Sequence, residues 1–299
     1  MGNFRSGFMT IIGRPNVGKS TLMNYLVGQK IAIVSDKPQT TRNRIRGVVT
    51  GPDYQIVFLD TPGIHKPKHR LGHYMVEVAL RSLREVDGIL HVLDVSREVA
   101  AGEAFILELL AQVQTPVFLV INKIDLVPKN SLLALIADMD KRYPYQEIIP
   151  VSAVTGENMD RLLSVLADHL PPGPRYYPEG VVTDQPEAFV LAEIIREKVL
   201  EFTREEIPHA VVVQVEELIQ RDENNIYLGA VIYVERDSQK DIIIGKGGRM
   251  LKEIGSQSRL EIEKLLGSKV YLELWVKVKP GWRKRDADLR FFGYDLRES

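Results

Sequence analysis

The chain has no cysteine among its 299 residues. That excludes disulfides, thiolate metal sites and cysteine nucleophiles, and leaves all chemistry to oxygen and nitrogen groups; it is compatible with a reducing compartment without requiring one. No apolar stretch approaches the roughly 20 residues that span a bilayer, and the first residues carry no long hydrophobic signal segment, so an intracellular protein is expected. Met1–Ser6 matches a myristoylation pattern formally, but such short patterns match by chance, and a disordered leader is the expectation. Charge of one sign is also missing. The 39 Lys and Arg against 40 Asp and Glu leave a net charge of -1, so any binding of nucleic acid must come from a local patch. What is present, 44% hydrophobic and 26% charged residues, suits a globular chain long enough for two separate cores.

The most informative stretch is Gly13-Arg14-Pro15-Asn16-Val17-Gly18-Lys19-Ser20. It follows the apolar run Phe8 to Ile12 and opens the helical pattern Thr21 to Leu26. Strand, glycine loop and helix in that order make a phosphate cradle: loop N–H groups face the phosphates, Lys19 reaches the β- and γ-phosphates, and the Ser20 hydroxyl can ligate Mg²⁺. Asp36 to Arg42, with Thr40 and Thr41, has no periodicity and reads as a mobile loop. Ile45–Thr50 and Tyr54–Leu59 flank Gly51-Pro52-Asp53 as a hairpin. The second strand ends in Asp60-Thr61-Pro62-Gly63, where the carboxylate can hold Mg²⁺ through water while the Gly63 N–H meets the γ-phosphate.

Further buried strands are expected at Gly88–Leu93, Val117–Ile121 and Ile148–Val151, with helical patterns between them, which predicts a mostly parallel sheet between helical layers. Asn122-Lys123-Ile124-Asp125 follows the Val117 strand. The Asp125 carboxylate can accept from guanine N1–H and its 2-amino group, whereas adenine offers an acceptor at N1 and no 2-amino donor. Lys123 can lie along the base plane, Asn122 can tie this loop to the phosphate loop, and a backbone N–H of Ser152-Ala153 can meet the 6-oxo group.

This ordered set resembles the small GTPases over roughly residues 8 to 170. The resemblance implies phosphate and Mg²⁺ binding by Lys19 and Ser20, nucleotide contacts by Gly13, Asn16, Val17, Gly18 and Thr21, and sensing of the γ-phosphate by Asp60 and Gly63. Thr41 or Thr40 closes over that phosphate; Thr41 is preferred because it immediately precedes Arg42, as in related bacterial GTPases. One departure bears on mechanism. Where Ras-like proteins carry a water-orienting glutamine after the sensing glycine, this chain has Ile64, which has no hydrogen-bonding side chain. The resemblance is then to GTPases with a hydrophobic residue there, and it implies slow hydrolysis stimulated by K⁺, with Asn16 as a K⁺ ligand.

The helical pattern Met159–Leu170 closes the first domain, residues 1–172. Pro171, Pro172, Pro174 and Pro178 make a semi-rigid linker, 173–182, before a second domain, 183–299. There a helix with Ala188, Ala192, Ile195, Val199 and Phe202 on one face precedes strands Ala210–Val215 and Ile226–Val234. Ile242-Ile243-Ile244 leads into Gly245-Lys246-Gly247-Gly248, a second helix ends at Gly267, and Val270 to Val278 alternates as a half-buried strand. A lone GxxG is a common turn. Between two helices in this order it resembles a type II KH domain, whose loop clamps a nucleic-acid backbone. Ile244, Gly245, Lys246, Gly247, Gly248 and Arg249 are the residues so implied. Lys277, Lys279, Trp282 and Arg283, followed by Lys284 and Arg285, form a basic tail with one aromatic; it extends the RNA surface or meets anionic lipid, although Asp286 and Asp288 weaken the charge. The whole combination resembles the bacterial Era family. That resemblance implies a GTPase that binds near the 3′ end of small-subunit (16S) ribosomal RNA, assists assembly of the 30S subunit, and is cytoplasmic with peripheral contact to the inner membrane.

Overall fold

The computed structural model of the chain describes residues 4–37, 39–64, 67, 69–97 and 101–295. Met1–Asn3 of the lipidation pattern and Pro38 of the threonine loop lie outside these residues. The first unit contains β1 (Arg5–Ile12), α1 (Lys19–Val27), β2 (Ile45–Thr50), β3 (Tyr54–Asp60), α2 (Arg70–Arg81), β4 (Gly88–Asp94) and α3 (Ala101–Leu110). It continues with β5 (Val117–Asn122), α4 (Lys129–Arg142), β6 (Glu147–Pro150) and α5 (Met159–His169). The sheet order is β2-β3-β1-β4-β5-β6, and β2 alone runs antiparallel to its neighbour, through the Gly51–Asp53 turn. Every residue of β4 and β5 is buried, which is why both read as continuous apolar runs without alternation. The parallel register brings Asp60 beside Ile11 and Asn122 beside Asp94. The polar residues at strand ends therefore gather on the edge from which the glycine loop springs.

The leader expected to be disordered is ordered from Phe4, whose carbonyl accepts from Gly173 N–H. Arg5 opens β1, and its Nη1 donates to the carbonyls of Asp168 (2.5 Å) and Leu170 (3.2 Å). The proline-rich segment is strapped along the first sheet. Ser6 N–H donates to Pro171 O, Val48 N–H to Val182 O, Thr183 Oγ1 to Arg46 O, and Gln55 holds Tyr176 and Tyr177.

The second unit consists of α6 (Glu187–Phe202), α7 (Ile207–Ala210), β7 (Val212–Asp222), β8 (Asn225–Val234), α8 (Asp237–Ile244), α9 (Arg249–Leu266), β9 (Lys269–Val278) and α10 (Asp286–Phe291). Strand order is β7-β8-β9, with β7 antiparallel and β9 parallel to β8. β7 runs well past the expected Val215. Its outer half is exposed edge strand, Glu216 to Asp222, behind a bulge at Val215–Glu217, so apolar alternation stops before the strand does. Of the isoleucines Ile242 and Ile243 that lead into the glycine loop, Ile243 is buried and Ile242 is half exposed.

The two units share a cluster of buried residues. Leu71, Tyr74, Met75 and Val78, one face of α2, pack with Val212, Val231, Tyr233, Trp282, Leu289, Phe292 and Tyr294 of the second unit.

Candidate nucleotide site and nucleic-acid groove

The phosphate loop is built so that only glycine fits at its two ends. Gly13 has φ +154 and Gly18 φ +97; a Cβ would stand 2.4 Å from Val92 O at the first and 2.3 Å from Asn122 Nδ2 at the second. Lys19, 6% exposed, folds back to donate to Gly13 O (3.3 Å) and Arg14 O (3.0 Å). Burial lowers its pKa, against the raising effects of Asp60 and Glu103. Asp60 is fully buried and shifts the other way: burial raises its carboxyl, while Lys19 and the hydroxyls of Ser20 and Thr41 oppose that. Burial thus disfavours the charged form of both groups, and each partly offsets that cost for the other.

Three oxygens converge at this point. Ser20 Oγ donates to Asp60 Oδ2 (2.8 Å), Thr41 Oγ1 donates to the same atom (3.3 Å), and the two hydroxyls lie 3.0 Å apart. Asp60 Oδ1 is buried without a hydrogen-bond partner. Two hydroxyls and an unsatisfied carboxylate form a hard oxygen donor set that fits Mg²⁺. Thr40 faces away, its Oγ1 donating to Lys37 O (2.6 Å), so Thr41 is the threonine at the donor set. Gly63 presses on the phosphate loop, where a Cβ would come 2.9 Å from Pro15 N. Ile64 is buried, and its N–H donates to Gly13 O.

At the carboxyl end of β5, Asn122 does tie two loops together: Nδ2 donates to Val17 O (2.9 Å) and Oδ1 accepts from Ala153 N–H (3.0 Å). Ser152 Oγ donates to Asp125 Oδ1 (2.6 Å) and orients the exposed carboxylate. The 6-oxo contact expected of Ser152-Ala153 finds no free donor, because Ser152 N–H is given to Glu157 O and Ala153 N–H to Asn122. Lys123, at φ +68, donates to Asn16 O (3.0 Å) and Asp94 Oδ2 (2.6 Å). Asp94 was not singled out from the sequence. Burial pushes its carboxyl up, and Lys123 and Ser96 outweigh that and hold it below the ordinary range. Its only sequence signal is its place at the carboxyl end of a buried strand.

In the second unit the glycine loop is open. Gly245, Gly247 and Gly248 have φ of +70, +62 and +76, and nothing lies within 4 Å of a Cβ on the latter two. A cavity of about 460 Å³ runs from Gly248 between α9 and β9, floored by Leu251, Gly255, Leu272 and Leu274. Lys252 and Arg259 line its side, and Lys246 and Arg249, in the glycine loop and at the start of α9, are exposed. Lys252 and Arg259 were missed, although with Ser256 they follow helical spacing on one face.

The basic tail is arranged differently from the expectation at its aromatic residue, and three of its cations have acidic partners. Trp282 is 0% exposed, its Nε1 donates to Ala210 O (2.9 Å), and its ring stacks on Tyr294, so it offers no face to a base. Lys277 lies on the sheet face opposite the groove, as strand alternation dictates, and pairs with Glu216. Lys279 pairs with Asp288 and Arg283 with Glu235.

Comparison with known proteins agrees with this geometry. Residues 8–123 match the family described as 50S ribosome-binding GTPase, and residues 206–283 match the KH domain. GTPase Era of Staphylococcus haemolyticus (strain JCSC1435) is 55% identical over 294 residues, 98% of each chain. Two solved structures are each 44% identical with a TM-score of 0.94, covering 98% of this chain and 100% of theirs: a variant of Aquifex aeolicus Era bound to GDP and aluminium fluoride, and Era in complex with MgGDPNP and nucleotides 1506–1542 of 16S ribosomal RNA. With an enclosed phosphate loop, an exposed aspartate held by Ser152 in the loop after β5 and a groove beside an open glycine loop in one chain, and likeness over nearly its full length, the chain belongs to the Era family of GTPases.

Proposed function

We propose that this GTPase is a switch whose nucleotide state sets the affinity of its KH groove for the 3′ end of small-subunit (16S) ribosomal RNA, and that it assists assembly of the 30S subunit. Support comes from the complex of a 44% identical Era with nucleotides of that RNA, and from a groove with an apolar floor, open glycines and flanking cations, which suits a single strand. The observation that carries the switch is α2. It follows the Asp60–Gly63 loop, and its apolar face is buried in the second unit. Ordering that loop around a γ-phosphate therefore bears on the packing of the RNA-binding unit. Coupling of typical strength, about 1–3 kcal/mol, changes RNA affinity roughly 5–150-fold between GTP analogue and GDP. A gel shift under the two conditions measures it, and equal affinity would remove the switch.

Within the site, Ser20, Thr41 and Asp60 would hold Mg²⁺, which when bound neutralises charge between the β- and γ-phosphates. Lys19 meets the same oxygens from the other side. The loop N–H groups cradle the phosphates, Gly63 N–H senses the γ-phosphate, and Asp125 Oδ2 accepts from guanine while Ser152 steadies Oδ1. Ile64 sits in the core and orients no water. We assign part of that deficit to K⁺ held by Asn16, whose Nδ2 is donated to Asp36 O (2.5 Å), leaving Oδ1 as an acceptor for the cation. Turnover is then faster in K⁺ than in Na⁺ at matched ionic strength; equal rates would exclude it.

In this reading residues 1–172 hydrolyse GTP, 173–182 connect, and 183–299 bind RNA in the cytoplasm. No described helix is long and apolar enough to cross a membrane, and peripheral membrane contact would rest on the exposed Lys284 and Arg285.

A further inference from the structure

Thr41 hangs between two anchors that both belong to the second unit. On one side, the Thr40 carbonyl accepts from Arg196 Nη2 of α6. On the other, Arg42 sends its guanidinium across the interface. Nη1 donates to Val211 O (2.6 Å) and Tyr294 Oη (3.5 Å), Nη2 donates to Pro208 O (3.0 Å) and His209 O (3.3 Å), and the group lies 5.7 Å above the Trp282 ring. Upstream in the same loop, Val34 N–H donates to Glu197 Oε1 (3.0 Å). Among the described residues of its own unit, the Thr41 hydroxyl meets the Ser20 hydroxyl and donates to Asp60 Oδ2.

The two arginines are 2% and 1% exposed but are neutralised differently. Arg196 has Glu193 at 2.6 Å. Arg42 has no carboxylate within ion-pair distance among the described residues; carbonyls around α7 and the face of Trp282 meet its charge instead, and its Nε is buried without a partner. Carbonyl dipoles and an aromatic face thus take the place of a carboxylate in meeting the cost of removing this guanidinium from water.

We infer that the second unit is a built-in part of the hydrolytic site: Arg42 and Arg196 are positioning residues that hold Thr41 at the Mg²⁺ and γ-phosphate, so that GTP turnover depends on docking of the RNA-binding unit. This rests on the nucleotide-site reading above and is independent of which RNA is bound. GDP has no γ-phosphate for Thr41 to close over, so GDP binding does not draw on these anchors.

The test is full-length Arg42→Ala, measured for kcat, for the Mg²⁺ concentration giving half-maximal turnover, and for affinity toward GDP and a GTP analogue. The expected result is a fall in kcat of about 10–100-fold, the size that a displacement of about 1 Å produces at a reacting centre. The Mg²⁺ requirement rises, GTP-analogue affinity weakens, and GDP affinity stays unchanged. Arg42→Lys, which keeps charge but reaches fewer carbonyls, restores part of the rate. Arg196→Gln gives the same pattern at smaller size, and it is read in place of Arg42→Ala should the latter lower the melting temperature. Wild-type kcat in both variants, or parallel loss of GDP and GTP-analogue affinity, overturns the inference. RNA affinity measured alongside separates the two claims: a wild-type protein whose RNA affinity ignores nucleotide state sinks the switch, while the loss of kcat on removing Arg42 stands by itself.

Discussion

The molecule has two glycine loops that use the same residue for opposite reasons. In the first, the glycines are hemmed in. A Cβ on Gly13 or Gly18 meets a carbonyl or an amide at under 2.5 Å, and the lysine that follows is buried. In the second, Gly247 and Gly248 face open space and Lys246 is exposed. The enclosed loop binds by fixed geometry in a setting stripped of water, where each hydrogen bond and charge counts for more. The open loop is suited to approach: bare backbone would let a chain come close, and exposed cations could meet its phosphates. One loop suits a small ligand of a single shape, and the other a long polymer of many.

The same substitution made in both loops breaks this comparison most sharply. Gly18→Ala adds a Cβ at 2.3 Å from Asn122 Nδ2, the atom that donates to Val17 O, and places alanine at φ +97. The expected cost is about 2–4 kcal/mol from strain plus a broken link between the phosphate and base loops, with nucleotide binding lost. Gly247→Ala meets no neighbour within 4 Å; only its positive φ costs, about 1 kcal/mol. Nucleotide affinity is unchanged there, while RNA affinity falls because the methyl group holds the strand off. Thermal melts and fluorescent-nucleotide titration of both proteins decide it. Equal effects of the two changes on nucleotide binding would show that enclosure is not what distinguishes the loops.

A smaller effect comes from the exposed cations. Replacing Lys246 and Arg249 with alanine should weaken RNA binding about tenfold near physiological salt and lower the slope of log affinity against log salt by about 0.7 for each phosphate left without its cation. GTP hydrolysis without RNA stays at its wild-type rate. An unchanged slope would mean that these side chains do not touch phosphate.

The two loops also differ in how much of their surroundings the sequence made legible. Gly13 to Ser20, Asp60 and Asn122 act through neighbours at adjacent strand ends, so motif and strand pattern located them together. Trp282 misled because, in a run of lysines and arginines, nothing local reveals that its ring is buried against Tyr294 and under Arg42. Arg42 itself was unreadable for the same reason: its partners at Pro208, His209 and Val211 are more than 160 positions away. Ser152-Ala153 was placed correctly at a strand end, but its N–H groups were spent inside the chain, which only a full hydrogen-bond account reveals. The residues joining the two units are thus the ones that sequence patterns describe least.

That junction carries the smallest expected effect, and it turns on solvent access. Next to Arg196 on α6 lies a wetter ionic patch, in which Lys30 of the first unit contacts Glu197 and Glu261 and Lys198 lies 3.2 Å from Glu261. Burial opposes ionisation of Glu261, but Lys30 and Lys198 outweigh it and hold the carboxyl below its ordinary value of 4.5. A carboxyl depressed in the folded state contributes stability above its unfolded value, and that contribution is lost as pH falls through the folded one. The docked arrangement therefore weakens in acid below about pH 4.5. Because Lys30 is about one-third exposed, solvent screening keeps the gain to a few tenths up to about 1 kcal/mol, and added salt reduces it further. Lys30→Ala should flatten the fall of melting temperature with acid without altering it at neutral pH by more than a few degrees. A variant as acid-sensitive as wild type would move the pH dependence away from this patch. Among the described residues Arg42 has no carboxylate within ion-pair distance, so of the two contacts the ionic one should feel the change more.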